Sequence, residues 1–244
     1  MTVLSVNVNK IALLRNSRGR NFPDLIDFTR KLLAMGVKGI TVHPRQDERH
    51  VTRQDVVELT ALLQDYPGVE FNIEGYPSAE FLALVEKVRP AQCTLVPDAP
   101  DQLTSDHGWD VPAHEALLRE VLDRLRTIGV RSSLFLDPNP ALVEHIRNVG
   151  ADRIELYTEA YASAFGGAQQ EAVIAQYEAT AARARELQIG LNAGHDLDLR
   201  NLPRFLEIPG ISEVSIGHAL VVESLEQGLA SVIRQYLAIT GESS

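Results

Sequence analysis

The sequence predicts an α/β chain folded as a single (β/α)8 barrel of the TIM type, with an extended first βα connection. Three observations lead there. Short β-branched runs recur eight times, near residues 3–8, 39–43, 69–74, 92–97, 132–137, 153–158, 189–194 and 213–217. Amphipathic segments of helical period lie between them. A helix–glycine–strand junction also repeats, as Met35-Gly36-Val37, Ile128-Gly129-Val130 and Val149-Gly150-Ala151, with the glycine supplying the left-handed residue that turns the chain back. Repeated βα units imply parallel strands with right-handed crossovers, and eight of them in 244 residues without a linker match a closed barrel. A doubly wound open sheet is the alternative, but no glycine-rich dinucleotide loop follows any strand. Residues 1–240 are therefore expected to form the barrel and 241–244 a disordered tail.

In order, the first strand places Ser5, Asn7 and Asn9 on one face and Leu4, Val6 and Val8 on the other. Residues 9–22 read as a long basic connection carrying Lys10, Arg15, Arg18 and Arg20, with Gly19 as a flexible point. Pro23 opens a helix over 23–35, with Leu25, Phe28, Leu32 and Met35 at helical spacing. The second strand ends at Pro44 and runs into a crowd of His43, Arg45, Arg49 and His50, offset only by Asp47 and Glu48. Imidazole and guanidinium groups at a strand end suit phosphate binding and proton transfer, although a solvated basic turn would look the same. Thr52 with Asp55 resembles a capping pair for a helix over 52–65, and Ser78 and Asp198 are credible caps for helices over 78–88 and 198–207. Further helices are expected at 112–128, 140–148, 169–187 and 221–238. Two connections, 98–111 and 159–168, are long enough to act as lids, the second hinged at Gly166-Gly167.

Bulk properties narrow the partners. The net charge of −10 argues against nucleic acid. Residues 1–53 nonetheless carry a net +6, a basic island that suits a small anionic ligand. Cys93 is the only cysteine, and no apolar run approaches the ~20 residues that span a bilayer, so a cytoplasmic protein is expected.

In a (β/α)8 barrel the chemistry sits at the C-terminal ends of the strands. Polar residues fall there: Asn7 and Asn9, His43 and Arg45, Glu74, Asp137, His195, and Gly217-His218. On the third strand Glu70, Asn72 and Glu74 share a face, which would point acids into the barrel, and Glu155 is placed likewise on the sixth. Burial raises carboxyl pKa values toward the range useful for proton transfer. A structural Glu–Arg network is the competing account of Glu155. Metal ligation by His43, Glu74 and His195 is chemically admissible, but no closely spaced histidine pair supports it. Ser215-Ile216-Gly217-His218-Ala219 could hold phosphate on backbone amides at a helix N-terminus.

These residues resemble the pyridoxine 5′-phosphate synthase family. The resemblance rests on residues 6–19, Gly-Ile-Thr-Val-His-Pro-Arg-Gln-Asp-Glu-Arg-His (39–50), Asn-Ile-Glu (72–74), Leu-Val-Pro (95–97), Ser-Leu-Phe-Leu-Asp (133–137), Ile-Glu-Leu (154–156), Asn-Ala-Gly-His (192–195) and Ile-Gly-His-Ala (216–219). It implies condensation of 1-deoxy-D-xylulose 5-phosphate with 3-amino-2-oxopropyl phosphate, with no metal or organic cofactor, by a homo-octamer. By resemblance, His43 and Glu74 are the proton acceptors, His195 a proton donor and Glu155 the stabiliser of a charged intermediate. Asn7, Asn9, Lys10, Arg18, Arg45, His50, Thr104, Asp196, Gly217 and His218 are the implied substrate contacts, and the Arg18 connection is placed near a neighbouring subunit's site. Asn9-Lys10 and Asp196 depart from the family pattern, which more often has Asp-His and Gly, so the grip on the pentulose hydroxyls and on a phosphate is open. Two other readings remain: a phosphosugar isomerase or aldolase, which as a Schiff-base enzyme would want a strand lysine that is missing, and a non-catalytic phosphate-ligand barrel.

Overall fold

A computed structural model describes residues 1–98 and 105–242. In chain order the elements are β1 (Val3–Asn7), α1 (Asn9–Asn16), α2 (Leu25–Ala34), β2 (Gly39–Val42), α3 (Arg53–Leu63), β3 (Glu70–Gly75), α4 (Ala79–Val88) and β4 (Gln92–Leu95). Then come α5 (Glu115–Thr127), β5 (Arg131–Leu136), α6 (Pro140–Val149), β6 (Arg153–Tyr157), α7 (Glu159–Ala164) and α8 (Gln170–Glu186). The chain finishes with β7 (Gly190–Gly194), α9 (Leu202–Phe205), β8 (Ile211–Ile216), α10 (His218–Gln227) and α11 (Leu229–Thr240). The strands pair in parallel in sequence order, and β8 closes onto β1, with Val6 opposite both Ile40 and Ile216.

Alternation along each strand divides the barrel into two environments. Leu4, Val6, Ile40, Val42, Ile73, Leu134, Ile154 and Val214 face outward and are sealed under the helices. That layer supplies the apolar burial that holds the fold. The inward face is mostly polar, with Phe135 the large apolar exception, unlike the branched aliphatic filling usual for this architecture. Ser5 and Thr41 hydroxyls lie 2.7 Å apart, and Asn72 donates to Thr41 at 3.3 Å and accepts from Thr94 at 3.0 Å. One level lower, Arg131 reaches Gln92 at 3.0 Å and ion-pairs with Glu70, and Arg153 bonds Asn192 at 2.9 Å and faces Glu213 at 3.6 Å. The Glu–Arg network weighed for Glu155 therefore exists, but Glu70, Glu213, Arg131 and Arg153 build it at the N-terminal end. Glu155 stands above it.

The local chemistry explains the helix starts. Thr52 and Asp55 form a reciprocal capping box, and Ser78 Oγ accepts from the Phe81 amide. Gly36, Gly129 and Gly150 hold φ of 96°, 75° and 80°, as the junction pattern requires. Several expectations change. The connection over 9–22 is half helical: Asn7 Oδ1 accepts the Asn9 amide at 3.0 Å and starts α1, which buries only Ile11 and Ala12 and so leaves a weak apolar period. Asp24, not Pro23, caps α2. Residues 159–164 form α7, pinned by buried Tyr161, whose hydroxyl bonds the Asn201 carbonyl at 2.8 Å. The helix expected over 221–238 is two, divided at Gly228 with φ 82°. Two residues of the expected tail are ordered: Gly241 is the left-handed cap of α11, and Glu242 accepts the Leu4 amide at 2.8 Å, while 243–244 lie outside the described residues.

Candidate active site

The C-terminal ends of the strands surround a cavity of about 520 Å3. Its size suits one or two small metabolites. β1, α1 and β2 make the basic wall, where Asn7, Asn9, Lys10, Arg45, Arg49 and His50 line the cavity. Asn9 Oδ1 accepts the His43 amide at 2.9 Å, so its side chain fixes the end of β2. α1 fastens the basic turn: Arg15 pairs with Asp55 at 2.5 Å, and Asn16 Nδ2 donates to the Arg49 and His50 carbonyls at 3.1 and 2.8 Å. Arg45 is buried against Asp98 at 2.5 Å, and Ser105 donates to the same Asp98 oxygen at 2.8 Å. His50 Nδ1 accepts the Val51 amide at 2.9 Å, which leaves its hydrogen on Nε2. Burial, followed by the charges of Arg45, Arg49 and Lys10, pushes His50 down to about 4.

At the floor His43 Nδ1 and Glu74 Oε2 stand 4.0 Å apart, too far for a direct hydrogen bond and suited to a bridging atom. Burial lowers His43 well below the usual imidazole value, and Arg45, His50 and Arg49 add to it. Burial raises Glu74 well above the usual carboxyl value, reinforced by Glu155, Asp98 and Glu213 and opposed by Arg45. Both shifts favour the uncharged forms, so an imidazole that resists protonation stands beside a carboxyl that holds its proton more tightly than usual. Glu155 is pushed up to about 8 by burial and by Glu213 below it, against a weak hydrogen bond from Thr94 Oγ1 at 3.4 Å. Gly194 makes room for it, since a Cβ there would lie 2.2 Å from Glu155 Oε1.

The opposite wall comes from β7 and β8. His195 and Asp196 follow Gly194 and line the cavity with Leu197. Gly217, His218 and Ala219 bring the first turn of α10 to the mouth, where helix amides lack intrahelical acceptors. A Cβ at Gly217 would stand 3.0 Å from Asn7 Cβ, so glycine permits the close approach of β8 and β1 ends. Among the described residues, no three His, Cys, Asp or Glu side chains are grouped to hold a metal ion. Among them, too, no helix is long and apolar enough to cross a membrane.

Residues 4–242 match the family of the pyridoxal phosphate biosynthesis protein PdxJ. The chain belongs to that family. It is 52% identical over 237 residues to a pyridoxine 5′-phosphate synthase of Bacteroides thetaiotaomicron, covering 97% of this chain and 98% of that one. A synthase of Allorhizobium ampelinum is 50% identical over 244 residues, covering 98% of each. Among solved structures, a mutant tryptophan synthase α-subunit from Pyrococcus furiosus aligns with TM-score 0.63 and 13% identity over 98% of this chain and 97% of that one. A thiamine phosphate pyrophosphorylase from the same organism aligns at 0.62 and 10%, over 99% and 96%. Those two likenesses carry the barrel fold alone.

For this PdxJ-family chain, the four acid–base residues expected from sequence converge on one mouth, with Asn7, Asn9, Lys10, Arg45, His50, Asp196, Gly217 and His218 around them. Arg18 is exposed on the turn after α1 and does not line the cavity. Thr104 lies outside the described residues. Arg49 from the basic cluster and Ser215 from the expected phosphate-holding segment line the cavity too, whereas sequence reasoning passed over Ser105 and Phe135 as site residues. Phe135 shares the inward parity of its strand, a signal that was available. Ser105 had none, because Asp98 claims it through space.

Proposed function

We propose that this chain is a pyridoxine 5′-phosphate synthase, joining 1-deoxy-D-xylulose 5-phosphate to 3-amino-2-oxopropyl phosphate with release of phosphate and water. The observation that carries the reading is the convergence of His43, Glu74, Glu155 and His195 on one cavity flanked by two anion-attracting walls. Binding alone does not require acids and bases together. Two phosphorylated substrates fit two such walls: the cations Lys10, Arg45 and Arg49 on one side, and the amides of Gly217, His218 and Ala219 on the other.

The chemistry needs repeated proton movement on one intermediate: amine–ketone condensation with loss of water, phosphate elimination, and ring closure with dehydration. Neutral His43 accepts the first proton, while protonated Glu74 gives one to a departing oxygen; each is then ready for the opposite transfer. Glu155 holds its proton in the empty site and gives it up when a cation forms beside it. Its stabilisation therefore appears with the charged intermediate and not with the substrates, which is what accelerates a step. His195, once it has itself taken up a proton, supplies a further one from the β7 wall. By the same reading the chains assemble as homo-octamers, with Arg18 of one subunit serving the site of the next.

The test mixes the purified protein with both substrates and follows pyridoxine 5′-phosphate and free phosphate. Equal amounts of the two products are expected, and neither from one substrate alone. Turnover of a single substrate would favour an isomerase or aldolase, and tight binding without turnover a ligand-binding barrel. His43→Ala and Glu74→Gln are each expected to cut kcat by at least 100-fold, on the scale of lost acid–base catalysis. Near-normal turnover in either variant removes its assigned role.

A further inference from the structure

His195 and Asp196 are consecutive non-glycine residues in the left-handed region, with φ of 75° and 49°. In an extended strand their side chains would point to opposite faces. Here the double left-handed turn folds them together, and His195 Nδ1 lies 2.7 Å from Asp196 Oδ2. The surroundings over-determine this conformation. Buried Thr158 ties down the segment before it, its amide and hydroxyl reaching the Gly194 carbonyl at 3.2 and 2.9 Å and its hydroxyl also bonding the His195 carbonyl. Asn201 Nδ2 holds the Asp196 carbonyl at 3.0 Å, and Asn201 is itself buried and bonded to Tyr161 and Asp198. The Tyr157 ring stands edge-on to the imidazole at 5.1 Å. Strain persists where the fold enforces it, and such strain gathers at functional sites.

We propose that Asp196 is a positioning residue that commits His195 to carry a hydrogen on Nδ1, so that only Nε2 exchanges protons with the substrate. An ionised carboxylate only accepts, so a 2.7 Å contact requires the imidazole nitrogen to donate. The hydrogen bond from His195, with the charges of His195 and His218, keeps the Asp196 carboxyl below its ordinary range. The earlier expectation made Asp196 a substrate contact. A carboxylate repels phosphate, and this one already spends an oxygen on the imidazole next to it. The left-handed backbone at 196 would suit glycine at least as well, so the carboxylate is what aspartate adds here.

The catalytic part of this inference rests on the synthase reading; the tautomer part does not. The experiment uses the full chain and two variants. Asp196→Gly removes the carboxylate and accepts the left-handed backbone without strain, and Asp196→Asn keeps an acceptor oxygen without the charge. Histidine-labelled protein is read by solid-state 15N NMR, with His195→Gln to assign the resonance, and product formation gives kcat and KM. In the wild type His195 is expected to carry its hydrogen on Nδ1. Asp196→Gly is expected to move it largely to Nε2 and to lower kcat about 10-fold, with both KM values within 2-fold. Asp196→Asn is expected to restore the Nδ1 hydrogen and most of kcat. An unchanged His195 tautomer in Asp196→Gly overturns the proposal, as does a raised KM with kcat intact, which would return Asp196 to substrate contact. Absence of turnover in the wild type would sink the synthase reading and leave the tautomer measurement to judge the dyad alone.

Discussion

Replacing Glu155 by glutamine should stabilise the protein in mild alkali while disabling it. In the folded state the carboxyl holds its proton up to about 8, against an ordinary 4.5, because it is 3% exposed and sits above Glu213. In the unfolded chain the proton leaves near the ordinary value. Between these pH values the folded state binds more protons than the unfolded one, so wild-type stability falls as pH rises through that window, and levels off above it. At about 1.36 kcal/mol per tenfold change in proton affinity, the ceiling is about 5 kcal/mol. Proton sharing with Glu74 and Glu213 and entry of water into the mouth reduce it to about 2–3 kcal/mol. Glutamine fills the same volume and cannot ionise, so it removes the slope. The assay is urea unfolding of wild type and Glu155→Gln at pH 5 and pH 8.5, at one protein concentration because assembly shifts midpoints. The advantage of the variant should grow by about 2–3 kcal/mol between the two pH values, or about 5–10 °C in Tm for a chain of this size. Product formation should drop at both. A stability difference identical at pH 5 and pH 8.5 would refute the buried, protonated carboxyl on which the site's electrostatics rest.

Further outcomes are expected. Gly194→Ala places a Cβ 2.2 Å from Glu155 Oε1 and must push that carboxyl aside, so kcat should fall at least 10-fold while circular dichroism stays native; unaltered kinetics would show that Glu155 tolerates displacement. Arg15→Ala breaks the Asp55 pair and one hold on the His50 carbonyl, loosening the basic turn. It should raise KM for a phosphorylated substrate about 10-fold and cost about 1–3 kcal/mol of stability, because Asp55 is left buried without its cation. A KM unchanged in that variant would mean that the turn keeps its shape without α1.

The sequence already determined the barrel, because eight alternating runs and their glycine junctions encode which face of each strand is sealed under helices. It also placed His43, Glu74, Glu155 and His195, since period two and the rule for strand ends convert position in the chain into position at one mouth. α1 escaped it: the segment buries only Ile11 and Ala12, and its hold on the basic turn runs through Arg15 and Asn16 to partners more than thirty residues away. The same holds for the lower Arg–Glu layer that leaves Glu155 to Thr94, and for the protonation states of Glu74 and His43, which depend on how much water the assembled barrel excludes. The meeting of His195 with Asp196 was decided only by tertiary structure. Neighbours in a chain face apart by default, and it took Thr158 and Asn201, brought in from other parts of the fold, to hold two left-handed residues in place.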